Sequence, residues 1–294
     1  MRRACIDIGS NTTRLLVAEC DGDRLLEVHQ ERAFTRIGRG MLSDGSIAPA
    51  KIAEVVDVVA GQLRRAGELG AQDVRGVATA AIRRSRNGGV LADAIRSTCG
   101  LPVEILSEEE EARLAFVGAA RTLGHVPSGK LGVVDVGGGS SELAVGTAPD
   151  AVSWSTSFAV GSGDLADGCL RSDPPSQSEL SEARAELARA LEGLEAPHPV
   201  EAVAVGGSAA SLRLLAGPVL DANAFERSLG LLAGELATDL ARRLGLAVDR
   251  VRLLPAGLLI LEEVSRLFGV ALQIGCGGIR EGVLLEAGWT RSKR

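Results

Sequence analysis

Short apolar runs alternate with amphipathic helical patterns along most of the chain. The first run, Arg3 to Ile6, predicts a buried strand, and a polar glycine turn separates it from a second apolar run, Leu15 to Ala18. Apolar residues then recur at helical spacing from Ile52 to Leu63. Such alternation is typical of α/β proteins and not of helical bundles or β-sandwiches.

The pattern of strand, Asp-x-Gly turn and strand occurs twice. Asp7-Ile8-Gly9-Ser10-Asn11 forms the first turn, and Asp135-Val136-Gly137-Gly138-Gly139-Ser140-Ser141 forms the second. The two aspartates stand 128 residues apart in the sequence. We interpret the repeat as two related lobes that face each other.

Other elements follow from local signals. Ser107 and Glu110 form a predicted capping box, which places Glu111 in the first turn of a helix. A third glycine turn, Gly206-Gly207-Ser208, leads from a predicted strand into a helix. Further strands are predicted at Leu25 to Val28, Val74 to Ala78, Val103 to Leu106, Leu131 to Val134, Glu142 to Val145, Ala202 to Val205 and Leu272 to Ile274, and a last helix from Arg280.

Glycine turns bring several backbone N–H groups close to a phosphate, because glycine has no Cβ to keep the ligand away. One such turn is more often a simple chain reversal, but three that all follow strands favour phosphate binding. Neither the dinucleotide fingerprint nor a P-loop is present. The leading carboxylates, Asp7 and Asp135, suit a partly hydrated Mg²⁺, although both residues also commonly cap turns.

The composition narrows the class of partner. The formal net charge is −6, which argues against general nucleic-acid binding, and only 2% of residues are aromatic, which removes most base-stacking surfaces. The five cysteines form no C-x-x-C pair, and no apolar run is long enough to span a bilayer. We therefore expect a cytoplasmic protein without membrane or nucleic-acid partners, and a homodimer on base rates alone.

At this point a family resemblance becomes specific. Six motifs occur in the order found in the exopolyphosphatase and guanosine pentaphosphate (pppGpp) phosphohydrolase family, which the chain resembles nearly end to end. They are Asp7-Ile8-Gly9-Ser10-Asn11, Thr79-x-x-x-Arg83, Ser107-x-x-Glu110-Glu111-Ala112-Arg113-Leu114, Asp135-x-Gly-Gly-Gly-Ser-Ser-Glu142-Leu143, Gly206-Gly207-Ser208 and Arg280-Glu281-Gly282.

The resemblance implies an α/β, two-lobed actin-like fold with a cleft between the lobes. It implies an acid/base carboxylate at Glu111, an anion-binding arginine at Arg83, and metal or phosphate contacts from Asp135 and Glu142. The carboxylate that leads the first turn, Asp7, is predicted as a further metal ligand. We expect repulsion among the four glutamates 108–111 to raise the pKa of Glu111. The remaining phosphate contacts are predicted at Ser10, Asn11, Gly138, Gly139, Ser140, Gly207 and Ser208.

These acids and hydroxyls have simpler explanations as well. Acidic residues complement a helix N-terminus, and Ser and Asn favour caps and turns. Arg84 is expected on a solvated face. Two positions depart from the family pattern: Asp164 replaces an arginine, and Cys276 replaces an aspartate and is expected to be a small buried filler.

We predict one lobe over residues 1–121, a second over 122–284, and completion of the first lobe by 285–294. The expected function is hydrolysis of terminal phosphates from inorganic polyphosphate. Short chains are favoured because the larger relatives' C-terminal domains are absent. Alternatives are a pppGpp phosphohydrolase, an ATP-dependent kinase or ATPase of the same fold, and a non-catalytic sensor of polyphosphate or an alarmone.

Overall fold

A computed structural model describes residues 1–22 and 24–286 and contains two sheets. The strands of the first sheet are β1 (Arg2–Ile8), β2 (Thr13–Asp21), β3 (Arg24–Ala33), β4 (Asp73–Ala78) and β5 (Val103–Ile105). They lie in the order β3-β2-β1-β4-β5. Strand β1 is antiparallel to β2 and parallel to β4, so this is a mixed sheet with an antiparallel edge.

The second sheet repeats this plan. Its strands are β6 (Leu131–Val136), β7 (Ser141–Thr147), β8 (Ala151–Phe158), β9 (Glu201–Val205), β10 (Val219–Leu220) and β11 (Leu272–Ile274). They lie in the order β10-β11-β9-β6-β7-β8. As in the first sheet, the central strand is antiparallel to the next strand in sequence and parallel to a later one.

Helices cover both sheets. They are α1 (Pro49–Glu68), α2 (Ala80–Arg84), α3 (Gly88–Cys99), α4 (Glu108–Thr122), α5 (Ser162–Cys169), α6 (Gln177–Ala190), α7 (Gly206–Ala216), α8 (Ala222–Gly234), α9 (Ala237–Leu244), α10 (Val248–Val251), α11 (Leu254–Phe268) and α12 (Ile279–Leu285), with a 3₁₀ turn at Ile37–Gly40. Within residues 1–22 and 24–286, no helix combines the length and hydrophobicity that a membrane-spanning segment needs.

The two hairpins β1–β2 and β6–β7 have the same register. Asp7 pairs with Arg14 across the first hairpin, and Asp135 pairs with Glu142 across the second. The turns match as well, because Gly9 N donates to Thr12 O and Gly137 N donates to Ser140 O, each at 3.0 Å. The internal repeat predicted from the sequence is therefore a repeat of structure.

Helices α4 and α12 cross between the sheets. The buried face of α4, with Phe116 at its centre, packs on the second sheet, whereas Val283 and Leu284 of α12 pack on the first. The two helices meet so closely that a Cβ on Gly118 would overlap the carbonyl oxygen of Gly278. The boundary near residue 121 stays a prediction, and residues 287–294 of the proposed C-terminal completion lie outside the described residues.

Local differences from the predicted elements have physical causes. Ser107 Oγ caps α4 by accepting from Glu110 N at 3.1 Å, but the Glu110 carboxylate turns to Arg113 instead of closing the predicted capping box. The structure also contains β8 and α8, which were not predicted. Strand β8 begins Ala-Val-Ser-Trp-Ser-Thr-Ser, and its serines weaken the apolar signal of a strand.

Candidate active site

A cavity of about 80 Å³ lies between the two hairpins. Its walls come from both sheets, from the start of α4 and from the start of α12. Most of the predicted site residues line it: Asp7, Ser10, Asn11, Glu111, Asp135, Gly138, Gly139, Ser140, Glu142 and Gly207. Residues as far apart in the sequence as Asp7 and Gly207 therefore share one chamber.

The two Asp-x-Gly turns face each other across this cavity in van der Waals contact. A Cβ on Gly138 would lie 3.0 Å from Asn11 Cβ, and one on Gly139 would lie 2.8 Å from Ser10 Oγ. Larger residues would therefore separate the turns. Glycine at these positions leaves the backbone N–H groups of the turn open to close approach.

The start of α5 supports the second turn from behind. Ser162 N donates to Gly137 O at 2.9 Å, and Gly163 N and Asp164 N donate to Gly138 O at 2.9 and 3.0 Å. These bonds occupy the carbonyl oxygens of the turn. The turn is thereby held in a fixed conformation.

Glu111 lies at one end of the cavity and is 2% exposed. The first turn of α4 carries it, and the Ser107 cap fixes where that helix begins. Arg83 donates to the Glu111 carboxylate and, at 2.8 Å, to Leu106 O. Arg83 itself does not line the cavity, so in this arrangement it positions Glu111, and its predicted phosphate contact stays a prediction.

The buried carboxyl groups of the cavity have raised pKa values. Burial, followed by the charge of Glu142, raises the pKa of Glu111 to about 9 against the opposing charge of Arg83. Burial raises the pKa of Glu142 to about 7 and that of Asp135 to about 6. The expected repulsion from Glu108 to Glu110 is not among the causes, because these side chains do not line the cavity: Glu110 pairs with Arg113, Glu108 with Arg83, and Glu109 is exposed.

These shifts predict how stability depends on pH without divalent cations. Since the folded-state pKa of Glu111 lies above the ordinary value of 4.5, its contribution to stability is complete below that value and is lost as pH rises towards about 9. Urea unfolding with a chelator present should show falling stability between about pH 7 and 9. Glu111→Gln should flatten that slope, whereas Glu109→Gln, on the exposed side of α4, should not; equal slopes in all three proteins would contradict the shift.

The carboxylates of the cavity fit a hard cation that takes its remaining ligands from phosphate and water. Asp7 Oδ1 is buried and accepts no hydrogen bond from any described residue. No group of three His, Cys, Asp or Glu side chains in the described part of the chain is arranged to hold a metal by itself. Mg²⁺ commonly binds one or two carboxylates and takes its other ligands from phosphate and water, so Asp7 and Asp135 match it.

Sequence reasoning missed two arginines in this cavity, Arg14 and Arg250. Arg14 Nε and Arg250 Nη2 are buried without a hydrogen-bond partner among the described residues, and neither side chain forms an ion pair with any of them. Burial, followed by other arginines, lowers the pKa of Arg14 to about 10 and that of Arg250 to about 9. Two buried guanidinium groups with unsatisfied donors are candidates for contact with an anionic ligand, although the charges of Asp7 and Asp135 also act on Arg14.

The repeat contained a signal for one of these arginines. Arg14 occupies the position in the first hairpin that Glu142 occupies in the second, since each pairs with the leading aspartate. Arg250, on the short helix α10, had no such signal. Both guanidinium groups approach Gly207, where a Cβ would lie 2.9 Å from Arg250 Nη2 and would overlap Arg14 Nη2. Ser208 is buried against Gly257 and does not line the cavity, so its phosphate contact stays a prediction.

Ion pairs join the lobes along one rim of the cleft. In each, an arginine from the first lobe meets an aspartate from the second. We call them the rim pairs: Arg36–Asp249, Arg39–Asp167 and Arg84–Asp164. Arg84 was expected on a solvated face; it instead crosses the cleft and also donates to Gly139 O at 2.9 Å. Asp164, which departs from the family pattern, therefore has Arg84 as its partner. Because all three rim pairs are partly exposed, each contributes at most about 1 kcal/mol to stability.

The expected burial of Cys276 is wrong. Its side chain is exposed, because the glycines on both sides turn inwards: Gly275 packs against Val203 and Gly277 against Thr122. The residue between them therefore points out of the β11–α12 turn. It lies on the wall of a second, larger cavity.

Two lobes related by an internal repeat, joined by crossing helices and with matched glycine turns facing across the cleft, define a two-lobed actin-like protein. Residues 16–288 match the Ppx/GppA phosphatase family. The chain belongs to that family.

Individual relatives agree with this assignment. The chain is 29% identical to Exopolyphosphatase 1 of Mycobacterium tuberculosis over 97% of its length and 88% of the relative's. It is 30% identical to Exopolyphosphatase 2 of the same organism over 90% of each protein. The crystal structure of the Aquifex aeolicus Ppx/GppA family member has a TM-score of 0.81 and 27% identity, covering 97% of this chain and 96% of that one. The predicted two-lobed actin-like fold is confirmed.

Proposed function

We propose that this chain is an exopolyphosphatase, which releases orthophosphate from the ends of inorganic polyphosphate. The proposal is supported by the family and by the names of the mycobacterial relatives. The observation that carries it is the meeting of both Asp-x-Gly turns with Glu111 in a single buried chamber. Phosphoanhydride hydrolysis needs a positioned phosphoryl group, donors for its oxygens and a group that activates water.

Each requirement has a candidate in this chamber. Backbone N–H groups of Gly138 and Gly139, with the hydroxyl of Ser10, donate to oxygens of the terminal phosphoryl group. The Ser140 hydroxyl donates to Glu142 Oε1 in this structure and would have to turn from it to join them. Glu111 orients the attacking water and accepts its proton, and Arg83 fixes the direction of that carboxylate. The phosphoryl group sits between turns that belong to different lobes, so binding it requires both lobes to be in place.

Arg14 and Arg250, which form no ion pair with any described residue, supply positive charge to the site. They neutralise the phosphate next to the bond that breaks and stabilise the negative charge that develops on the leaving group. Asp7 and Asp135 would hold a divalent cation such as Mg²⁺ together with phosphate oxygens and water, and the cation would supply neutralisation of the phosphate oxygens. The metal contact predicted for Glu142 stays a prediction. A reducing, cytoplasmic location is consistent with the five cysteines, all of which are free thiols.

Phosphate release from a panel of substrates with Mg²⁺ tests this proposal. We expect kcat/KM for tripolyphosphate to exceed that for pppGpp and for ATP by about tenfold or more. A preference for pppGpp would make the chain a pppGpp phosphohydrolase, and a preference for ATP would indicate an ATPase or kinase. A polyphosphate-induced rise in Tm without phosphate release would identify a sensor and overturn the proposal.

A further inference from the structure

The carbonyl oxygens of the second Asp-x-Gly turn are held by two different parts of the molecule. The start of α5 holds the first two, Gly137 O and Gly138 O. The third, Gly139 O, accepts from Arg84 Nη2 at 2.9 Å. Arg84 is the last residue of α2, a helix that packs with the first sheet. The last peptide group of this turn is therefore held from across the cleft.

A hydrogen bond to a carbonyl oxygen also fixes the N–H group of the same peptide unit. The unit is planar and trans, so its N–H points opposite to its C=O. The bond to Gly139 O therefore sets the direction of the Ser140 N–H. In the part of the chain that the structure describes, the N–H groups of Gly138, Gly139 and Ser140 donate to no acceptor, which leaves them available to an anion.

The first Asp-x-Gly turn is held differently. Gly38 N donates to Ser10 O and Arg36 N donates to Asn11 O, each at 2.9 Å, and both donors come from the 3₁₀ turn on the same side of the cleft. Among the described residues, no hydrogen bond reaches the first turn from the second lobe. The bond from Arg84 thus makes the conformation of one turn depend on the position of the opposite lobe.

Asp164 holds the Arg84 side chain at this place. Its Oδ2 lies 3.6 Å from Arg84 Nη2, and its backbone N donates to Gly138 O at 3.0 Å. The side chain and the backbone of Asp164 therefore act on neighbouring peptide groups of one turn. The contact also depends on glycine, because a Cβ on Gly139 would lie 2.7 Å from Arg84 Nη2 and would displace the guanidinium.

Helix α2 serves both halves of the chamber. Arg83 donates to the Glu111 carboxylate, whereas Arg84, the next residue, donates to the second turn. The residues before them, Ala81 and Ile82, are buried in the core of the first lobe, so the helix is a fixed support. One short helix therefore holds the carboxylate assigned to the attacking water and the turn assigned to the phosphoryl group at a set separation.

We propose that Arg84 is a positioning residue that orients the Ser140 N–H towards the terminal phosphoryl group, and that Asp164 holds its guanidinium in place. The inference rests on the proposed function, because it assumes hydrolysis of a terminal phosphoryl group. Arg84 does not line the chamber, so it acts through the turn and not by contact with substrate. Its loss should disturb the alignment of the reacting groups more than the affinity for substrate.

The kinetics of Arg84→Ala test the inference. We expect kcat for tripolyphosphate to fall about tenfold or more and KM to change less than about twofold, because one oriented donor is lost from the transition state. Arg84→Lys keeps a charged donor and should recover part of kcat. Arg39→Ala is the matched control: it removes the rim pair with Asp167 but forms no hydrogen bond with either turn in the described structure, so kcat should stay within about twofold of the wild type.

Other measurements separate positioning from simpler roles. Urea unfolding should show equal stability for Arg84→Ala and Arg39→Ala, since each loses one partly exposed rim pair. Equal losses of kcat in these two variants would mean that the rim pairs only hold the lobes together, and would overturn the proposal. A rise in KM at constant kcat would indicate a direct substrate contact and would also overturn it.

A double variant tests the part assigned to Asp164. If Asp164 acts through Arg84, Asp164→Ala should lower kcat in the wild-type background but cause no further loss in Arg84→Ala. Additive losses would remove Asp164 from the proposal.

Failure of the proposed function gives a different result from failure of this inference. A wild-type protein that releases phosphate from pppGpp or ATP but not from polyphosphate would refute the exopolyphosphatase function, and the comparison of Arg84→Ala with Arg39→Ala would then be made with that substrate. A wild-type protein that releases phosphate from none of them would refute both.

Discussion

Glu111→Gln will lower the kcat for phosphate release by about 10²–10⁴-fold and leave substrate binding nearly intact. The amide keeps the size of the side chain and can still accept from Arg83, but it cannot take a proton from water. Removing a buried carboxyl group also removes its repulsion of Glu142, so the binding of a polyanion should not weaken. Steady-state phosphate release and the Tm shift with tripolyphosphate measure the two effects separately.

Glu109→Gln is the matched control for this substitution. Glu109 lies two residues earlier on the same helix and points to solvent, so the same chemical change there should leave kcat and binding unaltered. Retention of wild-type turnover by Glu111→Gln would remove the general base from the proposed mechanism. Equal losses in both variants would mean that the acidic start of α4, and not one carboxylate, is required.

Much of the candidate catalytic chamber was predictable from the sequence because the two repeated turns supply many of its residues. Two matched turns, each after a strand and each led by an aspartate, are a local signal, and their separate lobes only have to face each other to form the site. Glu111 was also accessible from sequence, since Ser107 marks the start of its helix. These features depend on short segments whose conformation is determined by nearby residues.

The positive side of the chamber was not predictable in the same way. Arg250 comes from a four-residue helix, and its Nε donates to Ser211 Oγ of α7 at 2.8 Å, a contact that exists only in the folded chain. Arg83 was placed in the right neighbourhood, but its choice of Glu111 as partner depends on two side chains that meet across 28 residues of sequence. The cause of the raised Glu111 pKa lies in burial and in Glu142 on the other lobe, which no local run of glutamates reveals.

The crossing of α4 and α12 connects this chamber to the stability of the whole molecule. Leu114 O lies where a Cβ on Gly282 would be, and the carbonyl oxygen of Gly278 lies where a Cβ on Gly118 would be. These are backbone atoms of a partner helix and cannot move aside as a flexible side chain can. Since α4 carries Glu111 and α12 borders the cavity at Ile279, the spacing of the two helices also sets the geometry of the site.

Gly118→Ala should therefore destabilise the protein by about 1–3 kcal/mol, despite the higher helix propensity of alanine. The new methyl group would lie 2.9 Å from Gly282 N as well as overlap the Gly278 carbonyl oxygen, so the helices must separate. Urea unfolding measures the loss of stability, and kcat should fall with it because Glu111 moves relative to the turns.

Gly230→Ala provides the control with the opposite sign. Gly230 lies in the middle of α8 with no atom within 4 Å of a Cβ, so the same substitution there should stabilise the protein by about 0.5–1 kcal/mol through helix propensity alone. If Gly118→Ala were as stable as Gly230→Ala, the two helices would have room to spare and their crossing could not be what holds Glu111 in place. If Gly118→Ala destabilises the protein while Gly230→Ala stabilises it, the difference comes from the contact between α4 and α12.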